Sequence, residues 1–166
     1  MKTRYSGLDL ACQMQELKAL IGMRINKIYD IDKKTYLMKL QRTEEKCVLM
    51  LESGSRIHST NSVWPKSDAP SGFTMKLRKH LKNKRLEDIY QFKTDRIAVM
   101  QFGTNEVANY VILELYDRGK LILIIHFQNI SKTTYTFENA PGIVLSSSEY
   151  SCMHNYLFGD FFKYFY

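Results

Sequence analysis

Cysteine, proline and tryptophan are scarce in this chain: three, three and one among 166 residues. Cys12, Cys47 and Cys152 are odd in number and widely spaced, with no CxxC pair and no histidine at a ligand spacing. That excludes a disulfide framework and a zinc site, and leaves buried free thiols in a reducing compartment. No run of about 18 apolar residues exists to cross a bilayer, and the opening Met-Lys-Thr-Arg-Tyr-Ser lacks the apolar core of a signal peptide. An intracellular, soluble protein without a membrane partner is expected. Also missing are GxSxG, HExxH, a P-loop and GxGxxG, and the four histidines are scattered. No nucleophile, metal or cofactor site can be assembled from these residues, so a binding protein is expected rather than an enzyme.

Positive charge, by contrast, is plentiful and uneven. The formal net charge is +7; residues 1–123 hold 22 Lys/Arg against 14 Asp/Glu, and residues 124–166 hold 2 against 3. The densest cluster is Lys76, Arg78, Lys79, His80, Lys82, Lys84 and Arg85, with no acid between them. Phe73, Leu77 and Leu81 recur there at i, i+4, and Pro70-Ser71-Gly72 precedes them, which predicts a cationic helix on a thin apolar stripe. A charge run alone usually marks a solvated face. With the whole-chain bias it points equally to a phosphate backbone, which clustered Lys and Arg bind through counterion release.

Ser6–Gly22 reads as a first helix, with Leu10, Met14, Leu17 and Ile21 on one face, Ser6 and Asp9 spaced as a capping box, and Gly22 as the stop. Short strands are expected at Arg24–Ile31, Thr35–Gln41, Cys47–Glu52 and Arg56–Ser59, separated by turn-forming residues. Residues 61–72 read as a loop, its Trp64 stapling the loop inward or offering a platform for a base. Further strands are expected at Leu86–Phe92, Asp95–Phe102, Asn109–Tyr116 and Lys120–Leu123. Gly119 is placed as the left-handed residue of a tight hairpin. The fold class is α+β: two main helices with antiparallel sheets, sandwich-like or partly closed. Residues 124–166 carry no clear period beyond Ile124-Ile125 and read as a divergent tail, attached to a domain spanning 1–123.

Single residues are weaker guides. His58 reads as a surface or edge residue of a strand. His80 suits phosphate contact better than catalysis. Asp9 is explained by capping, and Asp95 with Arg96 by a turn and a surface.

The same residues taken in order resemble a known family. Met-Lys-Thr-Arg-Tyr-Ser with Asp9, Gly-Met-Arg-Ile-Asn-Lys-Ile-Tyr-Asp at 22–30, Leu-Glu-Ser-Gly-Ser-Arg-Ile-His at 51–58 and Trp64-Pro-Lys resemble the amino-terminal domain of the NFACT family. So do Met-Lys-Leu-Arg-Lys-His-Leu at 75–81, Asp95-Arg-Ile, Gln101-Phe-Gly and Glu-Leu-Tyr-Asp-Arg-Gly at 114–119, with eukaryotic members the most similar. The resemblance implies a fold like the amino-terminal domain of formamidopyrimidine-type DNA glycosylases. It implies binding to the large ribosomal subunit (rRNA) and to tRNA, and support for template-free alanine or alanine–threonine tailing of stalled chains. A ubiquitin ligase partner belongs to the full-length relatives.

Carried over from the family, Asp9, Asp95 and Arg96 become tRNA-engaging residues, reversing their bland reading. Lys76, Arg78, Lys79, Lys82, Lys84 and Arg85 become phosphate contacts for RNA. The base-excision alternative lacks its carrier, because those enzymes use an N-terminal Pro followed by Glu and this chain starts Met1-Lys2-Thr3. The resemblance covers residues 1–123 and stops there, so a truncated form of a longer factor is expected, cytoplasmic with the nucleus as a second compartment. The competing expectation is a fragment that is inactive or dominant-negative.

Overall fold

The computed structural model describes residues 3–62, 64–65, 69–104, 107–117, 119–125 and 142–146. Helix α1 (Gly7–Leu17) is followed by a 3₁₀ turn, Lys18–Leu20, and by strands β1 (Arg24–Asp30), β2 (Thr35–Arg42), β3 (Glu45–Glu52) and β4 (Arg56–Thr60). Helix α2 (Gly72–Leu81) leads into β5 (Leu86–Gln91), β6 (Ile97–Phe102), β7 (Asn109–Glu114), β8 (Leu121–Ile125) and β9 (Gly142–Ser146). The strands form two sheets ordered β1-β2-β3-β4 and β5-β6-β7-β8-β9.

Local chemistry sets the boundaries. The Ser6 hydroxyl accepts from the Asp9 amide at 3.2 Å, and the Asp9 carboxylate accepts from the Ser6 amide at 2.9 Å, which is the expected capping box. The α-helix ends at Leu17, earlier than expected; the 3₁₀ turn tightens the exit before Gly22 takes φ +93°. Asp32 shapes the first hairpin by accepting from the Lys34 and Thr35 amides at 2.7 and 2.9 Å. Gly119 is not left-handed as expected. Its backbone instead lies so close to the Glu114 and Tyr116 carbonyl oxygens that a Cβ would collide with both.

One core lies between the sheets. Leu10, Met14 and Leu17 of α1 meet Ile25, Ile28, Met38, Leu49 and Leu51 of the first sheet and Ile89, Met100, Val111 and Leu123 of the second. The second sheet is apolar on its other face too, where Val99, Ile112, Ile122 and Ile124 are also buried. That accounts for runs such as Ile97-Ala-Val-Met and Leu121-Ile-Leu-Ile, which do not alternate.

The antiparallel expectation holds for every pair except the last. Strand β9 runs parallel to β8, Leu121 opposite Gly142 and Ile125 opposite Ser146. Its sequence, Gly-Ile-Val-Leu-Ser, is a continuous apolar run with no alternation to announce it.

A small junction ties the sheets together. The β3–β4 turn places Gly54 at φ +82°, and its amide donates to the Glu114 carbonyl of β7 at 2.9 Å. The next residue, Ser55, accepts from the Tyr5 amide at 2.9 Å, so the start of the chain joins the same knot.

Candidate nucleic-acid interface

The basic run does not form one uniform face. Ser71 caps α2, accepting from the Thr74 amide at 3.2 Å, while its own amide donates to the buried Asp30 carboxylate at 3.0 Å. Phe73, Leu77 and Leu81 are buried, and the Phe73 ring meets Tyr36 edge-on at 5.6 Å. Arg78, Lys79 and His80 occupy the last turn, where cations complement the helix dipole. The helix ends at Leu81, short of the expected span: Lys82 is extended and Asn83 has φ 63°. Lys84 and Arg85 therefore leave the helix. The Lys84 ammonium donates to the Val107 carbonyl. Arg85 forks onto Glu87 at 2.8 and 3.0 Å, an acid two residues past the run. Arg78 is anchored as well, its Nε donating to the Ile28 carbonyl at 2.7 Å.

That anchor brings α2 against β1 and leaves a cleft of about 530 Å³ between them, walled by Ile25 to Tyr29 and by Arg78 and Lys82. The Arg78 guanidinium lies 5.6 Å from the Tyr29 ring centroid, and the Lys39 ammonium also lies 5.6 Å from it. Lys27 stands directly opposite Lys39 in the register that runs outward from the hairpin turn, and the ladder slips only beyond them, at a bulge at Asn26. Among the described residues no carboxylate lines this cleft. Lys27, Tyr29 and Lys39 stand in no charge run or functional motif of the sequence and are not among the expected site residues. Counting outward from the Asp32-Lys33-Lys34 turn would have found them, because hairpin register fixes which residues face one another.

Asp9, Asp95 and Arg96 gather at a second place. Asp95 and Arg96 sit in the β5–β6 turn, not at the opening of a strand as expected, because the ladder starts only at Ile97. The Gln91 side-chain amide donates to the Asp95 carbonyl at 2.7 Å and to the Gly7 carbonyl at 3.1 Å, joining this turn to the start of α1. Both residues converge on Tyr116: its hydroxyl donates to Asp95 Oδ1 at 2.7 Å, and the Arg96 guanidinium lies 5.2 Å from its ring centroid. Burial and the Asp95 carboxylate push the Tyr116 hydroxyl up to about 12, against the opposing pull of Arg96. Arg4 pairs with Asp117 alongside. The Asp9 carboxylate is engaged with Ser6.

The two places are separate. Helix α1 packs on β4 and β5, whereas α2 packs on β1, and β1 and β4 are opposite margins of the first sheet. Elsewhere, His58 is buried on the margin strand β4, not at the surface; its Nδ1–H donates to the Ser59 carbonyl at 2.8 Å. Cys12 is exposed, contrary to the expected burial, because it lies off the apolar stripe of α1; Cys47 is half-buried and Cys152 falls outside the described residues. The Trp64 indole N–H is buried. His80 is half-buried and held below its usual value by burial, then by Lys79, Lys76 and Lys84. Among the described residues no cluster of three His, Cys, Asp or Glu could hold a metal, and no helix is long and apolar enough to cross a membrane.

The chain is similar to known proteins in sequence and in fold. The chain is 58% identical over 125 residues to the ribosome quality control complex subunit NEMF homolog of Drosophila melanogaster, covering 74% of this chain and 13% of that protein. It is 52% identical over 124 residues to ribosome quality control complex subunit NEMF of Homo sapiens, covering 74% and 12%. The Schizosaccharomyces pombe ribosome quality control complex subunit 2 is 32% identical over 169 residues, covering 96% and 16%. The chain thus spans a small fraction of the length of these relatives. Among solved structures, the N-terminal part of the fibronectin/fibrinogen-binding protein of Streptococcus suis matches with a TM-score of 0.67 at 27% identity, over 73% of this chain and 49% of that one. The family model for NFACT N-terminal and middle domains matches residues 6–136. With its fold and its sequence in agreement over most of its length, the chain belongs to the NFACT family.

Proposed function

We propose that this chain is an RNA-binding part of a ribosome-associated quality-control factor, docking on tRNA and on the rRNA of the large subunit in the cytoplasm. The observation that carries the reading is the cationic margin where α2 meets β1, with Lys27, Arg78 and Lys82 lining a cleft that no described carboxylate lines, and Lys39 over the Tyr29 ring of its wall. Such a surface binds phosphate backbones without reading sequence. The names of the relatives, all subunits of ribosome quality control, give that surface its context.

In this proposal Asp9, Asp95 and Arg96 supply the more selective contact with tRNA, since a guanidinium stacked on a ring can still fork onto phosphate or ribose oxygens. The role is one of binding and positioning. Alanine and threonine tailing of stalled chains belongs to the whole factor, and contacts with a ubiquitin ligase fall outside residues 1–123, the unit assigned to RNA.

Filter binding of the purified chain to tRNA across a salt series tests the proposal. Binding should weaken steeply with salt. In the triple variant Lys76→Ala, Lys79→Ala, Lys82→Ala, the log–log slope should fall by about two to three, near 0.9 per lost phosphate contact. Absent or salt-independent binding would end the proposal.

A further inference from the structure

Lys27 and Lys39 are directly opposed across β1 and β2, a placement that costs stability because like charges on facing strand residues repel. Nothing in the hairpin requires it. Asp32, the nearest acid of the turn, spends both carboxylate oxygens on Lys34 and Thr35. Asp30 lies on the same strand but is buried, with one oxygen taken by the Ser71 amide. Two more cations close in from α2: Arg78, whose position is fixed by the Ile28 carbonyl, and Lys82, just past the helix end. Arg78 and Lys39 each lie 5.6 Å from the centroid of one half-buried aromatic ring, Tyr29, which shares the cleft wall with Lys27, Lys82 and Arg78. The cleft beside it is about 530 Å³, large enough for a nucleotide rather than a lone phosphate.

We propose that this cleft is a binding site for single-stranded RNA, with Lys27, Lys39, Arg78 and Lys82 holding the backbone and the Tyr29 ring receiving a base. The proposal rests on the RNA-binding reading above and narrows it. Sequence-blind sites for single strands pair a cationic track with an aromatic platform, and stacking contributes about 1–3 kcal/mol per base. A duplex keeps its bases stacked internally and can use only the charges. The strained lysine pair is then explained: its repulsion in the free chain is relieved when a phosphate enters.

Fluorescence-anisotropy titrations of the full chain with a labelled oligouridine and with a labelled RNA duplex of equal length test this. The oligouridine should bind more tightly. The double variant Lys27→Gln, Lys39→Gln should lose about tenfold or more in affinity for it, with a salt slope lower by about 1.4, as expected for two phosphate contacts on a single strand. Tyr29→Phe should bind like the parent, and Tyr29→Leu should lose most of its preference for the single strand over the duplex. The Lys27→Gln, Lys39→Gln variant should also melt higher than the parent, which shows that it folds and that weaker binding is not unfolding. If the parent binds tRNA but the lysine variant binds oligouridine unchanged, the cleft assignment is overturned while the RNA-binding reading stands. If the parent prefers the duplex, the stacking role of Tyr29 is overturned. If the parent binds no RNA, both readings fall.

Discussion

The Tyr116 hydroxyl and the Asp95 carboxylate, 21 residues apart in sequence, are joined by a 2.7 Å hydrogen bond that closes the β5–β6 turn onto the end of β7. Burial and this bond hold the phenol up to about 12, against an ordinary value of 10.0. An unfolded tyrosine gives up its proton first, so stability is complete below pH 10 and is lost as pH climbs toward 12; Tyr36, also raised to about 12, adds to the same loss. Asp95→Asn removes one cause of the shift and should bring Tyr116 ionisation down toward 10. Tyrosinate absorbance followed during an alkaline titration reads this directly, and identical curves for parent and variant would refute the coupling.

His80 sets the opposite limb. Burial and the neighbouring lysines depress it below 6.5, so the unfolded chain takes up the proton first as pH falls. The contribution is whole above pH 6.5 and is lost below it, toward the lower folded value. Urea denaturation at a series of pH values should show stability falling on the acid side of 6.5. His80→Asn should flatten that part of the profile, and an unchanged slope would assign it to other groups.

The knot between the sheets should be intolerant of a single methyl group. At Gly54 an added Cβ would stand 2.8 Å from the Tyr116 carbonyl oxygen, and φ is +82°. The backbone conformation alone costs an L-residue about 1–2 kcal/mol, and the collision adds to it. Gly72→Ala is the matched control: its Cβ meets nothing within 4 Å on a helix start, and it should stabilise by about 0.4–1 kcal/mol. Chemical denaturation of the two variants gives both values. Equal effects would mean that the junction yields.

Much of this architecture could be read before any coordinates. The capping box at Ser6 and Asp9, the turns at Asp32 and Gly54, and eight of the strands announce themselves through short-range chemistry. What escaped were facts of the third dimension. Asp95 and Arg96 look like two faces of a strand until Tyr116, just past the end of β7, comes in to meet both. Lys84 and Arg85 look continuous with α2 until Asn83 turns the chain and each finds its own partner. Strand β9 hid because a strand without alternation carries no period-two signal.

The two described cysteines should react differently. Cys12 is exposed, while Cys47 is half-buried and its thiol is pushed up by burial and by Glu45. Brief iodoacetamide treatment of the native chain, read by peptide mass spectrometry, should label Cys12 well before Cys47. Equal labelling would contradict the burial of β3.

Capping and recognition at the start of α1 can be separated. Ser6→Ala should cost about 1 kcal/mol of stability, the usual value for a lost N-cap, and leave tRNA affinity unchanged. Asp9→Ala should lower stability and affinity together. Equal affinity for the two variants would return Asp9 to a purely capping role.

The packing of α1 has a consequence for the order of events during synthesis. Strands β1 to β4 are joined by three local hairpins and can zip as soon as residues 24–60 have emerged. Helix α1 is made earlier, but it buries its stripe partly on β5, which ends only at Gln91. A helix made before all of these strands is thus among the last elements to find its place. Until then Leu10, Met14 and Leu17 travel without their final cover, and the nascent chain carries its own interval of vulnerability.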